Sequence, residues 1–315
     1  MKKPNIIVIG GGTGTYTVLS GLKKYPVNLI AIVAMADDGG SSRVLREEFG
    51  VLPPGSVRPA MVALSDEEET LAKLFSFRFS WGSLAGHTLG NLFLTALTKQ
   101  LGSFEKAIEQ TGRLLHLKGK VLPSTFQKMT LFAELENGRI IKGESNIDVP
   151  KHDGKLHIKK VWLQPKAKAN PKALEAIQKA HLIVVGPGDL YTSIIPNFLV
   201  SGINRAVKKS KAKKVYVCNI MTKFGETVGF SAKNFVNVLY EYLGNDAFDY
   251  LVVNTKCPAS ARVRKYEDKQ AQFVEYLPRD FVKARFSVVA RNLVRQSGFI
   301  RHDPKKLAKA LISFL

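Results

Sequence analysis

The sequence of 315 residues predicts an α/β fold with a doubly wound, mostly parallel sheet. Short apolar runs rich in Val, Ile and Leu recur along the chain, as in strands that are buried on both faces. Segments of helical periodicity alternate with these runs, which is typical of βα units. Several runs end in polar, glycine-containing loops, at residues 10–14, 37–42, 186–193 and 219–227. In such sheets ligands bind outside the carboxyl ends of the strands, so one edge should carry the site.

The first βα unit occupies residues 5–22, NIIVIGGGTGTYTVLSGL. Its strand pattern is followed by four glycines within five positions and then by a helical pattern. Glycines let a ligand approach the backbone, and the N-terminus of a helix attracts phosphate. The turn is neither a dinucleotide fingerprint, because Thr15 stands at the last glycine position, nor a P-loop. We interpret it as a phosphate site rather than a bare turn, since this much glycine costs chain entropy.

The second apolar run, residues 29–34, leads into a loop that contains Asp37 and Asp38. Adjacent residues of an extended chain point to opposite sides, so the two aspartates should have different roles. One could bind a ribose or sugar hydroxyl, and the other a divalent cation beside a diphosphate. An Asx-type turn without a ligand is the alternative interpretation of any Asp-Gly loop.

Helix starts are indicated at three places in the next segment. Residues 53–55, Pro-Pro-Gly, lead into a helix that carries Arg58, and residues 65–68 have the spacing of a capping box. The third helix begins near His87 and carries Asn91 one turn later. Polar donors and glycines at that N-terminus suit an anion or a close backbone contact. His87 could equally be a capping histidine.

Residues 118–165 differ in character from the rest of the chain. Asn137-Gly138 is a strong hairpin signal between two strand patterns, and a further strand is indicated at residues 156–163. The segment interrupts the βα alternation and is expected to form an antiparallel insert. It offers no obvious chemistry and is interpreted as a subdomain or a dimerisation flap, so a homodimer is expected.

The βα alternation then resumes to the end of the chain. Strands are predicted at residues 182–185, 215–218 and 250–254, with helices at residues 171–180, 197–209, 231–243 and 303–315. The last helix has a proline just inside its start, a favoured position. The whole chain is expected to be one domain with the insert.

Composition narrows the class of protein. The net charge of +21 favours anionic partners, but the basic residues are scattered and no stacking or helix-turn-helix motif accompanies them, so nucleic acid is not the expected ligand. Neither a signal peptide nor an apolar stretch of about 20 residues is visible, which predicts a soluble, cytoplasmic protein. The two cysteines, Cys218 and Cys257, form no disulfide framework, and Cys218 is expected to be buried.

The loops at the carboxyl ends of the strands show no Ser-His-Asp order, no zinc-ligand spacing and no obvious nucleophile. Their backbone N–H groups, hydroxyls and amides suit the binding of a nucleoside diphosphate better than covalent catalysis.

The chain resembles the 2-phospho-L-lactate transferase (CofD-like) superfamily, and most of all its bacterial gluconeogenesis-factor (YvcK-like) branch. The resemblance lies in segments spread in order along the chain, which are IIVIGGGTGTYTVLSGLKKYP, MADDGGSSRVLREEFG, LAGHTLGNL, VVGPGDLYTSIIPNFLVSGI, VCNIMTKFGET and RHDPKKLAKAL. It implies a Rossmann-like, three-layer α/β/α fold. In the transferase branch it implies Mg²⁺-dependent transfer from a guanosine diphosphate donor to a deazaflavin. In the bacterial branch it implies UDP-sugar binding, with roles in gluconeogenic growth and cell shape.

Carried onto this chain, the resemblance places the phosphate site at Gly11, Gly12, Thr13 and Gly14. It places the catalytic acids at Asp37 and Asp38, with Asp38 as the Mg²⁺ ligand. The remaining contacts to the nucleotide would come from His87, Asn91, Gly188, Tyr191, Thr192 and Asn219.

Two departures from the bacterial branch weaken the case for metal-dependent turnover. Ser56 and Pro59 stand where the branch usually has an aspartate and an asparagine on either side of the retained Arg58, and Asn292 replaces a usual aspartate. The expected function is therefore binding of a nucleotide sugar or nucleoside diphosphate in metabolic regulation. The alternative is a transferase that moves a phospho-acyl group from a nucleoside diphosphate donor to an acceptor hydroxyl.

Overall fold

A seven-stranded parallel sheet forms the centre of the computed structural model, which describes residues 3–66, 70–264, 266 and 270–315. The strands lie in the order β10-β9-β8-β7-β1-β2-β3. Their bounds are Asn5–Gly10 (β1), Asn28–Val33 (β2), Lys120–Pro123 (β3), Leu182–Val185 (β7), Lys213–Val217 (β8), Tyr250–Asn254 (β9) and Ser287–Arg291 (β10). The central strand β1 pairs in parallel with β2 and β7, and its apolar side chains are fully buried. The predicted doubly wound α/β fold is confirmed.

Helices accompany the strands along the chain. Their bounds are Gly12–Leu22 (α1), Gly40–Phe49 (α2), Pro54–Leu64 (α3), Thr70–Ser76 (α4), Leu89–Leu101 (α5), Phe104–Leu114 (α6), Glu144–Asp148 (α7), Pro171–Gln178 (α8), Ile195–Leu199 (α9), Ile203–Lys209 (α10), Ala232–Leu243 (α11), Ser260–Arg264 (α12) and Pro304–Ile312 (α13). A π-helical turn, Leu190–Ile194, precedes α9. Within the described ranges, no helix combines the length and the apolar character that a membrane span requires.

A small antiparallel sheet lies apart from the main one. It consists of Thr130–Leu135 (β4), Ile140–Lys142 (β5) and Ile158–Gln164 (β6), in the order β5-β4-β6. The predicted start of the insert at residue 118 is corrected, because Lys120–Pro123 pairs in parallel with β2 and belongs to the main sheet. Lys120–Pro123 has only four residues, too few for its sequence pattern alone to indicate which sheet it joins.

Local signals agree with most element boundaries. The Thr88 hydroxyl caps α5, and the Asp303 carboxylate caps α13 ahead of Pro304. The helix predicted at residues 197–209 is interrupted, because Val200 is extended and Gly202 adopts a φ of 105°. Glu67 and Glu68, half of the predicted capping box, lie outside the described residues. Cys218 is buried as expected, whereas Cys257 is exposed.

The chain reverses its direction across the sheet at β1. From β1 it proceeds to β2 on one side, and after the insert it returns to β7 on the other. Such a switch point leaves a crevice at the carboxyl ends of the two central strands. The first turn of α1 and the loop after β7 meet in this crevice, since a Cβ atom on Gly14 would overlap the carbonyl oxygen of Pro187.

We expect Gly14→Ala to destabilise the protein strongly, because neither backbone can move away without shifting α1 or β7. Gly12→Ala is the matched control: its Cβ would meet nothing closer than Ser193 Oγ at 3.9 Å, so the main cost is its φ of 59°, on the order of 1 kcal/mol. Urea unfolding of both variants measures the difference. Equal urea midpoints for the two variants would show that the first turn of α1 and the loop after β7 are not in this close contact.

Candidate functional site

The N-terminus of α1 faces an open cavity of about 700 Å³. Gly12, Thr13 and Gly14 line it, and the N-cap residue Gly11 has no side chain to satisfy the first N–H groups. Gly12 lies in the left-handed region with space beside its Cα. Free N–H groups and the positive end of the helix dipole therefore point into a solvent-filled space, the arrangement that binds phosphate.

The loops after β7 and β8 form the opposite wall of this cavity. Gly188 donates its N–H to the Asn219 Oδ1 at 3.1 Å, and the Asn219 amide donates to the Gly188 carbonyl at 2.9 Å. The two loops are thereby fastened to each other. Both residues line the cavity, but this pair occupies the Asn219 amide in the structure, and their contact with a nucleotide stays a prediction.

Tyr191 and Thr192 serve a different neighbour from the one predicted. Both are buried and bind the carboxylate of Glu226, the Tyr191 N–H at 2.9 Å and the Thr192 hydroxyl at 2.8 Å. The Tyr191 hydroxyl donates to the Ile158 carbonyl at 3.4 Å. The Tyr191 N–H and the Thr192 hydroxyl are therefore used in holding Glu226, and direct contact of either residue with a ligand stays a prediction.

The buried Glu226 belongs to an ionic cluster centred on Lys223, whose other members are partly exposed. The Lys223 ammonium lies 2.9 Å from Asp189 Oδ2 and 3.4 Å from Glu226 Oε1, and it also pairs with Asp148. Burial raises the pKa of Glu226 to about 7. Burial lowers the pKa of Lys223, but the carboxylates of Glu226, Asp189 and Asp148 outweigh it, so the pKa of Lys223 is higher than usual.

The ionic cluster was not found from the sequence. Lys223 and Glu226 stand in one of the segments that carry the resemblance, but Asp148 comes from α7 of the insert, about 75 residues away. Spacing along the chain does not show this pairing, and the insert contributes to the site against expectation.

The Lys223 cluster also bears on the predicted Mg²⁺ ligand. Among the described residues, the only group of three or more such side chains close enough to hold a metal ion is Asp148, Asp189 and Glu226, and the Lys223 ammonium already pairs with all three. Asp38 is not part of that group. Its Oδ1 accepts the Ser145 N–H at 2.9 Å, which leaves the second oxygen for a cation, so the metal role of Asp38 stays a prediction.

Asp37 and Asp38 do have different surroundings. Asp37 accepts the Gly39 N–H at 3.0 Å and the Ser42 hydroxyl at 2.6 Å, and burial raises its pKa. Asp38 instead faces the insert through Ser145. The contact of Asp37 with the Gly39 N–H is that of an Asx-type turn at the start of α2. Asp37 therefore has a structural role in this loop, whether or not a ligand also binds there.

His87 and Asn91 join the aspartate loop and not the α1 cavity. His87 Nδ1 lies 2.9 Å from the Ser41 hydroxyl, and the Asn91 amide donates to the same hydroxyl at 3.1 Å. Asn91 Oδ1 accepts from Arg58 Nε at 3.1 Å. Burial lowers the pKa of Arg58, as does the nearby Arg78 charge. A continuous polar chain thus runs from Arg58 to the N-terminal turn of α2.

A second cavity, of about 900 Å³, adjoins the first. Asp37, Asp38 and Glu144 line it, and Asp148 and Val149 line both cavities. Glu144 is an acid that the sequence analysis missed. Burial raises its pKa to about 9, helped by the charge of Asp37, so Glu144 is protonated at neutral pH. The two halves of the predicted site therefore lie in neighbouring cavities divided by α7.

Comparisons with known proteins show which family and which solved fold this chain is similar to. The family model described as 2-phospho-L-lactate transferase CofD matches residues 6–294. A protein of Aquifex aeolicus is 44% identical across 100% of this chain and 98% of its own length. The gluconeogenesis factor of Bacillus subtilis is 41% identical across 100% and 99%. The crystal structure of a UPF0052 family member from Bacillus halodurans has a TM-score of 0.94 at 41% identity, with 99% of each chain covered.

We expect Lys223→Ala to destabilise the protein by roughly 3 kcal/mol, because it leaves the buried Glu226 carboxylate without a counter-charge, whereas Asp148 and Asp189 are partly exposed to water. Lys151→Ala is the matched control, since Lys151 is exposed at the rim of the second cavity and should change stability by less than about 0.5 kcal/mol. Urea unfolding at pH 8 measures both. Equal stability of the two variants would contradict the structural role of the Lys223 cluster.

Proposed function

This chain belongs to the 2-phospho-L-lactate transferase CofD family, and we propose that it binds a nucleoside diphosphate, with UDP-sugars as the first candidates. As a UDP-sugar-binding gluconeogenesis factor it would regulate carbon metabolism and cell shape. The family implies a nucleotide-type ligand, and the name of the Bacillus subtilis relative supports the metabolic role.

The observation that supports the proposal is the uncapped N-terminus of α1 in the 700 Å³ cavity. A diphosphate placed there would accept hydrogen bonds from the first N–H groups of the helix and interact with its dipole. Gly12 leaves the space that a phosphate oxygen requires. A side chain at this position would compete with the ligand for that space.

The rest of the cavity suits the nucleoside part of such a ligand. Ile220, Met221 and Ile300 also line the cavity, and Ile220 and Ile300 pack together in a small apolar cluster. An apolar wall next to a phosphate site is the common arrangement of nucleotide pockets, because the base is largely apolar on its faces.

Binding without turnover is the primary proposal because the acids near the phosphate site already have partners. Asp148 and Asp189 are paired with Lys223, and Glu226 is buried beneath them. None is free to act as a general base in this arrangement. We further propose a homodimer through the insert, where Ile140 is exposed on β5 and the neighbouring strands β4 and β6 carry the stacked pair Phe132 and Trp162; light scattering of the purified protein would test it.

The first test is a thermal-shift screen with UDP-N-acetylglucosamine, UDP-glucose, GDP and NAD. A ligand at 100 times its dissociation constant adds about 2.7 kcal/mol to the stability of the folded state. We expect a UDP-sugar to shift the melting temperature of the wild type and not that of Gly12→Val, which fills the phosphate space. Thr13→Ala, which removes only a hydroxyl, should weaken binding modestly, by the value of about one hydrogen bond.

Circular dichroism must show that Gly12→Val is folded for this comparison to be meaningful. If the variant binds as the wild type does, the phosphate lies elsewhere, and the loop after β7 becomes the next candidate. If no uridine or guanosine diphosphate shifts the wild type at millimolar concentration, the proposed function is wrong.

A second candidate function is the transferase reaction, and the junction of the two cavities favours it. An acceptor in the aspartate cavity could reach a diphosphate in the α1 cavity past Asp148 and Val149. The acceptor oxygen would bond to the distal phosphorus, the bridging P–O bond would break, and a nucleoside monophosphate would leave. Asp38 would take the acceptor proton or hold Mg²⁺, which supplies charge neutralisation to the diphosphate when bound.

The transferase candidate predicts that release of nucleoside monophosphate requires both Mg²⁺ and an acceptor. Asp38→Asn should reduce that release by at least about 100-fold, in keeping with the loss of a general base, while UDP-sugar binding persists. Asp38 is preferred over Asp37 for this test, since Asp37 also holds the turn at Ser42. Unchanged turnover in Asp38→Asn would remove the role assigned to Asp38.

A further inference from the structure

The fold gathers basic residues at the edge of the sheet opposite the candidate site. The first residues of β1, β2 and β3, which are Asn5, Asn28 and Lys120, line a further cavity of about 1380 Å³. Because these strands are parallel, their amino ends lie at the edge away from the glycine turn and the aspartate loop. This cavity is larger than the two described above and shares no lining residue with them.

The lining of this cavity, which we call the basic cavity, is strongly cationic. It includes seven lysine and arginine residues against two glutamates, whereas the whole chain has 47 basic and 26 acidic residues. The seven cations come from four separate stretches of the chain, so a scatter in the sequence becomes a cluster in the fold. A concave surface of one sign of charge raises the local concentration of ligands of the opposite sign.

The two glutamates of the lining already have lysine partners. The Lys172 ammonium lies 2.9 Å from Glu105 Oε1 and 2.8 Å from Glu109 Oε1, which ties α8 to α6. Lys179 pairs with Glu175, one turn earlier in the chain. These acids are therefore used in holding the helices, and they do not balance the other cations of the lining.

Three cations of the lining lack a direct partner among the described residues. The side chains of Lys3, Arg113 and Lys120 are exposed and form no ion pair or hydrogen bond with any residue that the structure describes. The hydrogen bond from Lys172 lowers the pKa of Glu109, and so do the charges of Arg113 and Lys120. Arg113 and Lys120 therefore approach the same part of the cavity, where one anion can interact with both.

The matching of cations to helix ends explains only part of this arrangement. Arg113 stands in the last turn of α6, and Lys23 and Lys179 directly follow α1 and α8, where a cation is favourable beside the negative end of the helix dipole. Lys3 precedes β1, and Lys120 begins β3, and sheets have only small net dipoles. Helix dipoles do not account for these two charges, whereas an anionic ligand does.

The shape of the basic cavity suits a small ligand. Ile108, Leu117 and Leu122 also line it, and concave surfaces with apolar walls and a few polar groups are typical of small-molecule sites. Arginine binds phosphate and carboxylate groups through two parallel hydrogen bonds, and lysine binds them as a point charge.

We propose that the basic cavity is a second ligand site, which binds a small anion with at least three negative charges on phosphate or carboxylate groups. Arg113 and Lys120 bind the anion directly, and Lys3 adds to the attraction. The inference goes beyond the proposed function and does not depend on it, because the basic cavity and the α1 cavity lie at opposite edges of the sheet.

The test is calorimetric titration of the full chain with tripolyphosphate and, separately, with citrate, at low ionic strength, where exposed charges are screened least. Gly12→Val is used as the background, because it fills the phosphate space of the α1 cavity. We expect one of the two anions to bind this background, and the tighter one identifies the anionic group. Adding Arg113→Ala and Lys120→Ala should lower its affinity at least about tenfold, since each substitution removes a charged hydrogen-bond donor.

The matched control is Lys209→Ala combined with Lys211→Ala. It removes the same charge at exposed positions outside the basic cavity and should change the affinity less than about twofold. The melting temperature of the cavity variant should stay unchanged, because the two removed charges have no direct partner. If Gly12→Val does not fold, the same substitutions in the otherwise unchanged chain should reduce the number of bound anions by one.

The outcomes separate this inference from the proposed function. Failure of both anions to bind would overturn the inference, and so would equal losses in the cavity variant and the control, because the charge of the whole chain would then be responsible. The shift of the melting temperature by a UDP-sugar should be the same with and without Arg113→Ala and Lys120→Ala. Loss of that shift would overturn the separation of the two sites.

Discussion

The contact between the first turn of α1 and the loop after β7 is the constraint on which the candidate site depends. Gly14 and Pro187 approach so closely that a single additional carbon atom would not fit. Two backbones can meet this way only where one of them has no side chain, which is why the glycine-rich turn lies at the reversal point of the sheet. The contact positions the N-terminus of α1 opposite Gly188 and Asn219, and so creates the cavity between them.

Acidic residues are more frequent in the site than in the whole chain, since the second cavity is lined by as many acidic as basic residues. The net charge is +21, yet the buried groups near the two cavities are mainly carboxylic acids, among them Glu144, Asp37 and Glu226. Lys223 is the cation that pairs with Asp148, Asp189 and Glu226. Since Asp148 belongs to the insert, this lysine also fastens the insert to the loops of the main sheet.

Membership of a transferase family does not by itself establish a reaction, since function depends on the particular site. The two cavities separate what a binding protein needs from what a transferase needs. The α1 cavity contains the glycine turn and the apolar wall, whereas the aspartates lie in the neighbouring cavity. The departures from the family pattern at Ser56 and Asn292 concern the residues that a transferase would need, and they leave the glycine turn that a binding protein needs unchanged. Asn292, which follows β10, is exposed.

The sequence by itself determined the fold class, most strands of the main sheet and the residues of the glycine turn. Such features depend on local chemistry, namely apolar β-branched runs, glycines and helix caps, which are visible within a few residues. Only the tertiary structure decided which side chains meet. It placed Tyr191 and Thr192 on Glu226, moved β3 into the main sheet and brought Asp148 to Lys223. These outcomes depend on contacts between residues far apart in the chain, where burial and pairing, and not spacing, determine the environment of each group.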